Sequence, residues 1–165
     1  MKIVDNFLPA DEFSQLQTIM MCNTFPWYYN AYKVNNDAYE QSKLDHYQFT
    51  HIFYKNGKEM SHLIKLLEPL FEKLNVKELV KVKANCNPYA PEKLSFPFHM
   101  DVKEPKGIKT SIFFLNTTNA KTVFKTGKSV VNKENRIVTF PATTEHSGTT
   151  CSDAKARFLL NINYI

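Results

Sequence analysis

The sequence predicts a mostly β protein with N-terminal helices, a jelly roll whose helices pack on its larger sheet. Three observations carry this. Apolar residues first recur at helical spacing, over 10–21 and again over 58–74. From Leu79 onward the pattern switches to a period of two. About eight short β segments with turns between them then fill the second half, as in a sandwich or barrel. Helices that lead such a chain have one place to bury their apolar stripe, the outside of the larger sheet.

In order, residues 2–8 read as a short strand ending at the Pro9 turn. Over 10–21, Phe13, Leu16, Ile19 and Met20 share one side of a helix, with Asp11 and Glu12 at its positive N-terminus. The aromatic run 25–32 reads as extended, and 46–54 as a strand closed by the turn dipeptide Asn56-Gly57. A second helix is expected over 58–74, with Met60, Leu63, Ile64, Leu67, Leu70 and Phe71 at helical spacing and Pro69 weakening it locally. In the β half, Val80, Val82, Ala84 and Cys86 alternate with Lys81, Lys83, Asn85, Asn87 and Tyr89. Further strands are expected over 96–102, 109–116, 122–126, 128–132, 136–140, 146–150 and 156–164. The division is a helical support region, 1–78, and a jelly-roll core, 79–165, within a single domain spanning 1–165.

Composition narrows the function classes. With 43% hydrophobic residues, 13 Phe and 8 Tyr, the chain suits a core built around rings. No long apolar run suggests a membrane span, and 1–10, with Lys2 and Asp5, does not read as a signal peptide. Three cysteines, Cys22, Cys86 and Cys151, without CxxC spacing argue for a reducing, cytoplasmic compartment (a host cytoplasm if the chain is phage-encoded) and against a disulfide framework. The net charge of +5 is spread along the chain, so nucleic-acid binding is not inferred from it. Only Arg136 and Arg157 are arginines among 21 basic residues, which singles out Arg157, shortly after His146, as a position needing a planar bidentate cation.

Chemistry concentrates in His99-Met100-Asp101, His146 and Arg157. On a strand, His99 and Asp101 point to one face, and His146 can come from a neighbouring strand. Two imidazoles and one carboxylate bind one face of a metal and leave the opposite face open, an arrangement suited to non-haem Fe(II) and O2. A structural zinc site would want a fourth ligand, usually a thiolate, and Cys151 is near enough in sequence to keep that alternative open. Magnesium or calcium would want more oxygens. His46, His51 and His62 are assigned to packing or solvent. On the last strand, Phe158, Leu160, Ile162 and Tyr164 share one face, while Arg157, Leu159, Asn161 and Asn163 share the other. A guanidinium on that inner face needs an anion, either an internal carboxylate or the distal carboxylate of 2-oxoglutarate. Tyr89, ten residues before His99, offers a phenol to the same co-substrate, or else closes the barrel.

Taken together, Asn87-Pro88-Tyr89, His99-Met100-Asp101, the segment 109–116, His146 and the segment 157–164 resemble the prolyl-4-hydroxylase-like branch of the Fe(II)/2-oxoglutarate oxygenases. Small stand-alone oxygenases encoded by bacteriophages are similar. The likeness covers roughly 80–165, and the opening 3–9 also resembles the start of such domains. It implies a double-stranded β-helix, iron on His99, Asp101 and His146, and Arg157 on the far carboxylate of 2-oxoglutarate. Tyr89 resembles a tyrosine that contacts 2-oxoglutarate, and Asn161 a polar position near it. Two positions depart from the pattern. Phe114 stands where many prolyl hydroxylases carry a 2-oxoglutarate-binding tyrosine, and Ala120-Lys121 where a Gly-Gly pair is usual.

The resemblance implies a dioxygenase that decarboxylates 2-oxoglutarate to succinate while hydroxylating a substrate, with peptidyl proline as the leading candidate. Residues 25–29 and the segment 119–128 are the expected substrate surface, with core packing as the alternative for Trp27. A nucleobase substrate would want basic and stacking residues at the site; Lys103, Lys106 and Lys109 follow Asp101 but read more simply as a solvated edge. A non-catalytic metal-binding jelly-roll module is the third reading.

Overall fold

The computed structural model describes residues 1–33, 46–103 and 107–165. With strands numbered in chain order, an antiparallel sheet runs β1 (Lys2–Val4), β9 (Arg136–Pro141), β6 (Lys109–Phe114), β11 (Ala156–Tyr164), β5 (Leu79–Pro88), β3 (Gln48–Lys55), β2 (Tyr28–Asn30), and β4 (Lys58–Glu59) pairs with the end of β3. A smaller sheet runs β10 (His146–Gly148), β7 (Lys121–Phe124), β8 (Ser129–Val131). Two sheets face to face, the larger one backed by helices, make the expected jelly roll.

Strands β6, β9 and β11 of the large sheet serve two cores because successive side chains point to opposite faces. The outer face of β5 and β11 contributes Val82, Ala84, Leu160, Ile162 and Tyr164 to a core shared with the helices. Helix α1 (Ala10–Met21) lies over it with Phe13, Leu16 and Met20 buried, Phe13 meeting Phe113 of β6 edge-on at 5.9 Å. Ile19, expected on the same side, is 38% exposed, because the sheet contacts a narrower stripe than the apolar spacing suggests. The inner face builds a smaller core between the sheets, from Ile112, Phe114, Phe124, Val130, Val138, Phe140 and Leu159. No helix among the described residues is long and apolar enough to cross a membrane.

Two expectations are corrected. The single helix over 58–74 is three pieces: strand β4, a 3-10 turn (His62–Leu67), and helix α2 (Glu68–Leu74). Asn56 and Gly57 both have positive φ, 54° and 75°, so the dipeptide makes a tight hairpin that returns the chain to β3. Pro69 lies in the first turn of α2, where its missing N–H costs nothing, so it begins a helix instead of weakening one. Residues 1–78 are also more than helical support, since β1 to β4 all join the large sheet.

Candidate metal and co-substrate site

The segment carrying His99 and Asp101 is not the regular strand expected over 96–102. It touches the small sheet through two isolated bridges, Ser95 to Thr149 and His99 to His146. Four steps on one side match three on the other, so one residue is extra, in the stretch holding Pro97. Proline has no N–H for a ladder, and a bulge there re-aims the side chains that follow. His99 and His146 still exchange both backbone hydrogen bonds, at 2.9 and 3.0 Å, which sets their rings side by side with centroids 4.5 Å apart.

Ligand atoms of His99, Asp101 and His146 all lie within 4.8 Å of one another. Nε2 of His99 is 4.0 Å from Asp101 Oδ1, and Nε2 of His146 is 3.8 Å from Asp101 Oδ2. The other ring nitrogens face carbonyls, His146 Nδ1 at 2.9 Å from Thr144 O and His99 Nδ1 at 3.4 Å from Pro97 O. A carbonyl only accepts, so each Nδ1 carries the proton and each Nε2 keeps its lone pair for a metal. Desolvation pushes the His99 imidazolium down, and His146 adds to this, which favours that neutral state. For Asp101 burial acts upward, but His146, Thr110, His99 and Asn161 outweigh it and hold the carboxyl below its ordinary range. The donor set therefore fits a divalent metal with open positions, and no thiolate belongs to it: Cys151 is buried and turned to Ala154 O.

The last strand, β11, and its neighbour β6 supply the support. Thr110 Oγ1 donates to Asp101 Oδ2 at 2.8 Å, Asn161 Nδ2 lies 3.2–3.3 Å from both carboxylate oxygens, and Asn163 Nδ2 donates to Asp101 Oδ2 at 3.3 Å and to Thr110 Oγ1 at 2.8 Å. Asn161, expected beside the co-substrate, lines the cavity and bonds the Asp101 carboxylate. Thr110 and Asn163 were not singled out from the sequence. Their inward parity was visible, but their common partner, 62 residues from Asn163, was not.

Arg157 is 2% exposed and reaches the same cavity. Its Nε donates to Asn132 Oδ1 (2.9 Å), Nη1 to the carbonyls of Lys121 (3.3 Å) and Thr149 (3.2 Å), and Nη2 to Thr122 Oγ1 (2.9 Å). All four acceptors are neutral, one of its five N–H donors is left over, and among the described residues no carboxylate pairs with it. Burial lowers the guanidinium to about 10, so it is still charged at neutral pH. Phe114 lies under it, ring centroid 5.5 Å from the guanidinium carbon, so the residue departing from the prolyl hydroxylase pattern packs against the cation. Gly148 makes room: a Cβ there would sit 3.0 Å from Nη1.

Other expected positions fall elsewhere. Tyr89 follows the end of β5 at Pro88, is 52% exposed and lines a separate groove with Tyr47 and Pro91. Asn87, in register with Arg157, and Asn85 face the cavity in its place, with no side-chain hydrogen bond to a described residue. Their alternation with Lys83 was legible; that Pro88 stops it before Tyr89 was the missed signal. Residues 25–29 do not reach the cavity: Phe25 is buried in the outer core, Trp27 packs on Phe158 at 5.7 Å, and Tyr28 and Tyr29 are exposed on the sheet edge. The segment 119–128 contains β7, whose Thr122 accepts a hydrogen bond from Arg157. His46 and His51 are buried and His62 is exposed. Lys103 and Lys109 are exposed, and Lys106 lies outside the described residues.

No protein-family profile matches the sequence, and no curated protein matches it either. Solved structures do match the fold. A prolyl hydroxylase from Trichoplax adhaerens, in complex with a hypoxia inducible factor oxygen degradation domain peptide, superposes with a TM-score of 0.59 over 99% of this chain and 82% of its own, at 15% identity. The fold is that of the 2-oxoglutarate-dependent oxygenases. A Pseudomonas putida prolyl-4-hydroxylase matches with a TM-score of 0.54 over 99% of this chain and 90% of its own, at 13% identity. The non-heme alpha-ketoglutarate-dependent carbocyclase SnoK of nogalamycin biosynthesis reaches 0.66 over 98% and 78%, at 9% identity. This oxygenase fold thus hosts more than one reaction, and the choice among them rests on the site.

Proposed function

We propose that the protein is an Fe(II)/2-oxoglutarate-dependent dioxygenase that couples oxidative decarboxylation of 2-oxoglutarate to hydroxylation of a second substrate. The observation that carries this is Arg157. A buried guanidinium held by four neutral acceptors, without an internal carboxylate, opens onto the cavity that also holds His99, Asp101 and His146. Such a charge is costly to bury unless an anion joins it. A co-substrate with a carboxylate at each end would meet Arg157 with one and a metal on His99, Asp101 and His146 with the other.

His99, Asp101 and His146 would hold Fe(II), which when bound supplies the activation of O2. The chain's own part is placement. Thr110, Asn161 and Asn163 fix the Asp101 carboxylate, the carbonyls of Pro97 and Thr144 fix the imidazole tautomers, and Arg157 orients the far carboxylate of 2-oxoglutarate. Asn85 and Asn87 offer hydrogen bonds along the way, and the rings of Phe124 and Phe140 beside His146 keep water from that wall. For the substrate, the likeness to two prolyl hydroxylases supports a peptidyl proline.

The test is anaerobic titration of the metal-free protein with Fe(II) and then 2-oxoglutarate. A visible charge-transfer band is expected in the wild type and not in His99→Ala. No band, together with tight zinc binding, would sink the oxygenase reading in favour of a metal-binding module. A proline-containing peptide that gains one oxygen in mass, with matching succinate release, would support the substrate.

A further inference from the structure

The cavity has a second cationic end. Lys81 and Lys83 line it from β5. In the pairing of β5 with β11, Asn87 stands opposite Arg157, Lys83 opposite Asn161 and Lys81 opposite Asn163. The lysines are therefore four and six residues along the strand from the Arg157 level, about 13 Å or more at the usual strand rise. They stand at the level of the side chains that hold Asp101.

The charge continues across the sheet. Lys55 of β3 is directly opposite Lys81, and Lys58 of β4 is directly opposite Lys55. Opposed residues of an antiparallel pair share a face, and like charges placed so repel one another. None of these four lysines has an ion pair or a side-chain hydrogen bond with a described residue. The lysine ion pairs among the described residues, Lys125 with Glu145 and Lys133 with Asp5, involve other positions. Asp101 is the acid whose field reaches Lys83, but its oxygens are taken by Thr110, Asn161 and Asn163. Lys83 is also half-buried: desolvation, then Lys81, lowers its ammonium to about 8, with Asp101 opposing and Lys55 assisting. A sheet that places lysine opposite lysine opposite lysine, with one more turned into the cavity, gives up stability there. An anion arriving from outside would return it.

We propose that this end of the cavity binds an oxyanion, a carboxylate or a phosphate, carried by the primary substrate, with Lys83 and Lys81 as direct contacts and Lys55 strengthening the field. This rests on the oxygenase reading of the cavity, in which Arg157 already serves the co-substrate at the opposite end. It narrows the substrate: a proline peptide would need an acidic side chain, a chain terminus or a phosphate close to the reacting residue, and a neutral one would be poor.

The experiment uses the full chain loaded with Zn(II) and saturating 2-oxoglutarate, titrated with acetate, inorganic phosphate and neutral acetamide while backbone amide resonances are followed. Saturable shifts at 55 and 81–83 are expected with the anions and not with acetamide. Tighter acetate binding marks a carboxylate-bearing substrate, and tighter phosphate binding a phosphorylated one. Lys81→Met and Lys83→Met, which keep the aliphatic stem, should each weaken the anion about tenfold or more. Lys55→Met should weaken it less and raise Tm, since it removes a repulsion. An anion held by the metal alone would keep its affinity in the lysine variants and overturn the proposal, as would equal binding of acetamide. Loss of 2-oxoglutarate affinity in Lys83→Met with anion binding intact would also overturn it, by assigning Lys83 to the co-substrate. The Fe(II) charge-transfer band of the wild type separates the two failures. Its absence brings down the oxygenase reading, and with it this one; an intact band without an anion response brings down this proposal alone.

Discussion

The two faces of β11 have opposite characters, one apolar and one polar. Outward, Leu160, Ile162 and Tyr164 are at most 2% exposed and lie in the core under the helices, with the Tyr164 hydroxyl meeting Ser111 Oγ at 3.2 Å. Inward, Arg157, Asn161 and Asn163 are tied by hydrogen bonds to Asn132, Thr122, Thr110 and Asp101. One strand thus carries apolar packing on one side and a hydrogen-bonded polar cavity wall on the other. The apolar face gains about 1.5–3 kcal/mol for each large side chain buried, which offsets the burial of a charge and two amides on the polar face.

The comparison makes graded predictions. Asp101→Ala should abolish the Fe(II)/2-oxoglutarate band, read by anaerobic absorption spectroscopy, while the far-ultraviolet spectrum of the folded chain persists. Leu160→Ala, on the opposite face three residues beyond Arg157, should cost about 2–5 kcal/mol in denaturant unfolding by opening a cavity. Its 2-oxoglutarate affinity at low temperature should stay near wild type. If instead affinity collapses and stability does not, the division of labour between the faces is wrong. Arg157→Met should weaken 2-oxoglutarate roughly 100-fold, equivalent to about 2.7 kcal/mol, and remove the rise in Tm that the co-substrate confers on the wild type. An unchanged kcat/KM for 2-oxoglutarate in this variant would refute its role. Asn163→Ala leaves the metal ligands in place but takes a donor from Asp101, and should lower metal affinity roughly 10-fold to 100-fold in a competition titration.

The smallest effect lies away from both faces. Asp5 pairs with Arg136 and Lys133, and these two hydrogen-bonded cations, Arg136 first, hold its carboxyl well below the usual carboxylate range. A depressed folded-state pKa gives stability that is present above the unfolded value, about 4, and lost as pH falls below it toward the folded value. The pair is largely solvent-exposed, so its worth is about 1 kcal/mol or less. Asp5→Asn should therefore unfold slightly more easily than wild type at pH 7, and the gap should close as the pH is lowered through the acid range.

Local residue order accounts for a good deal of the site. The alternation of 156–164 placed Arg157, Asn161 and Asn163 together on the inner face, and the two-residue spacing of His99 and Asp101 with a later histidine defined the donor set. Helix α1 was equally legible because its apolar stripe and its acidic first turn agree. Where signals competed, the reading failed. Helical spacing over 58–74 overrode the Asn56-Gly57 hairpin signal next to it, though a turn with two positive φ angles returns the chain to its own strand before any helix can begin. Tyr89 matched in its distance from His99, but Pro88 ends β5 first, and strand register puts Asn87 opposite the arginine.

What the sequence determined by itself is therefore periodic or local: the jelly-roll class, the two faces of β5 and β11, and the two-histidine, one-carboxylate set that the structure brings together. Period and spacing follow from backbone geometry, so they survive in a one-dimensional pattern. Only the tertiary structure decided which neutral groups surround Arg157, which donors hold Asp101, and that Lys81 stands beside Lys55. Those relations join strands far apart in the chain. Their register is set by packing two sheets and a helix layer together, and a one-residue slip would turn every one of these side chains to the other face.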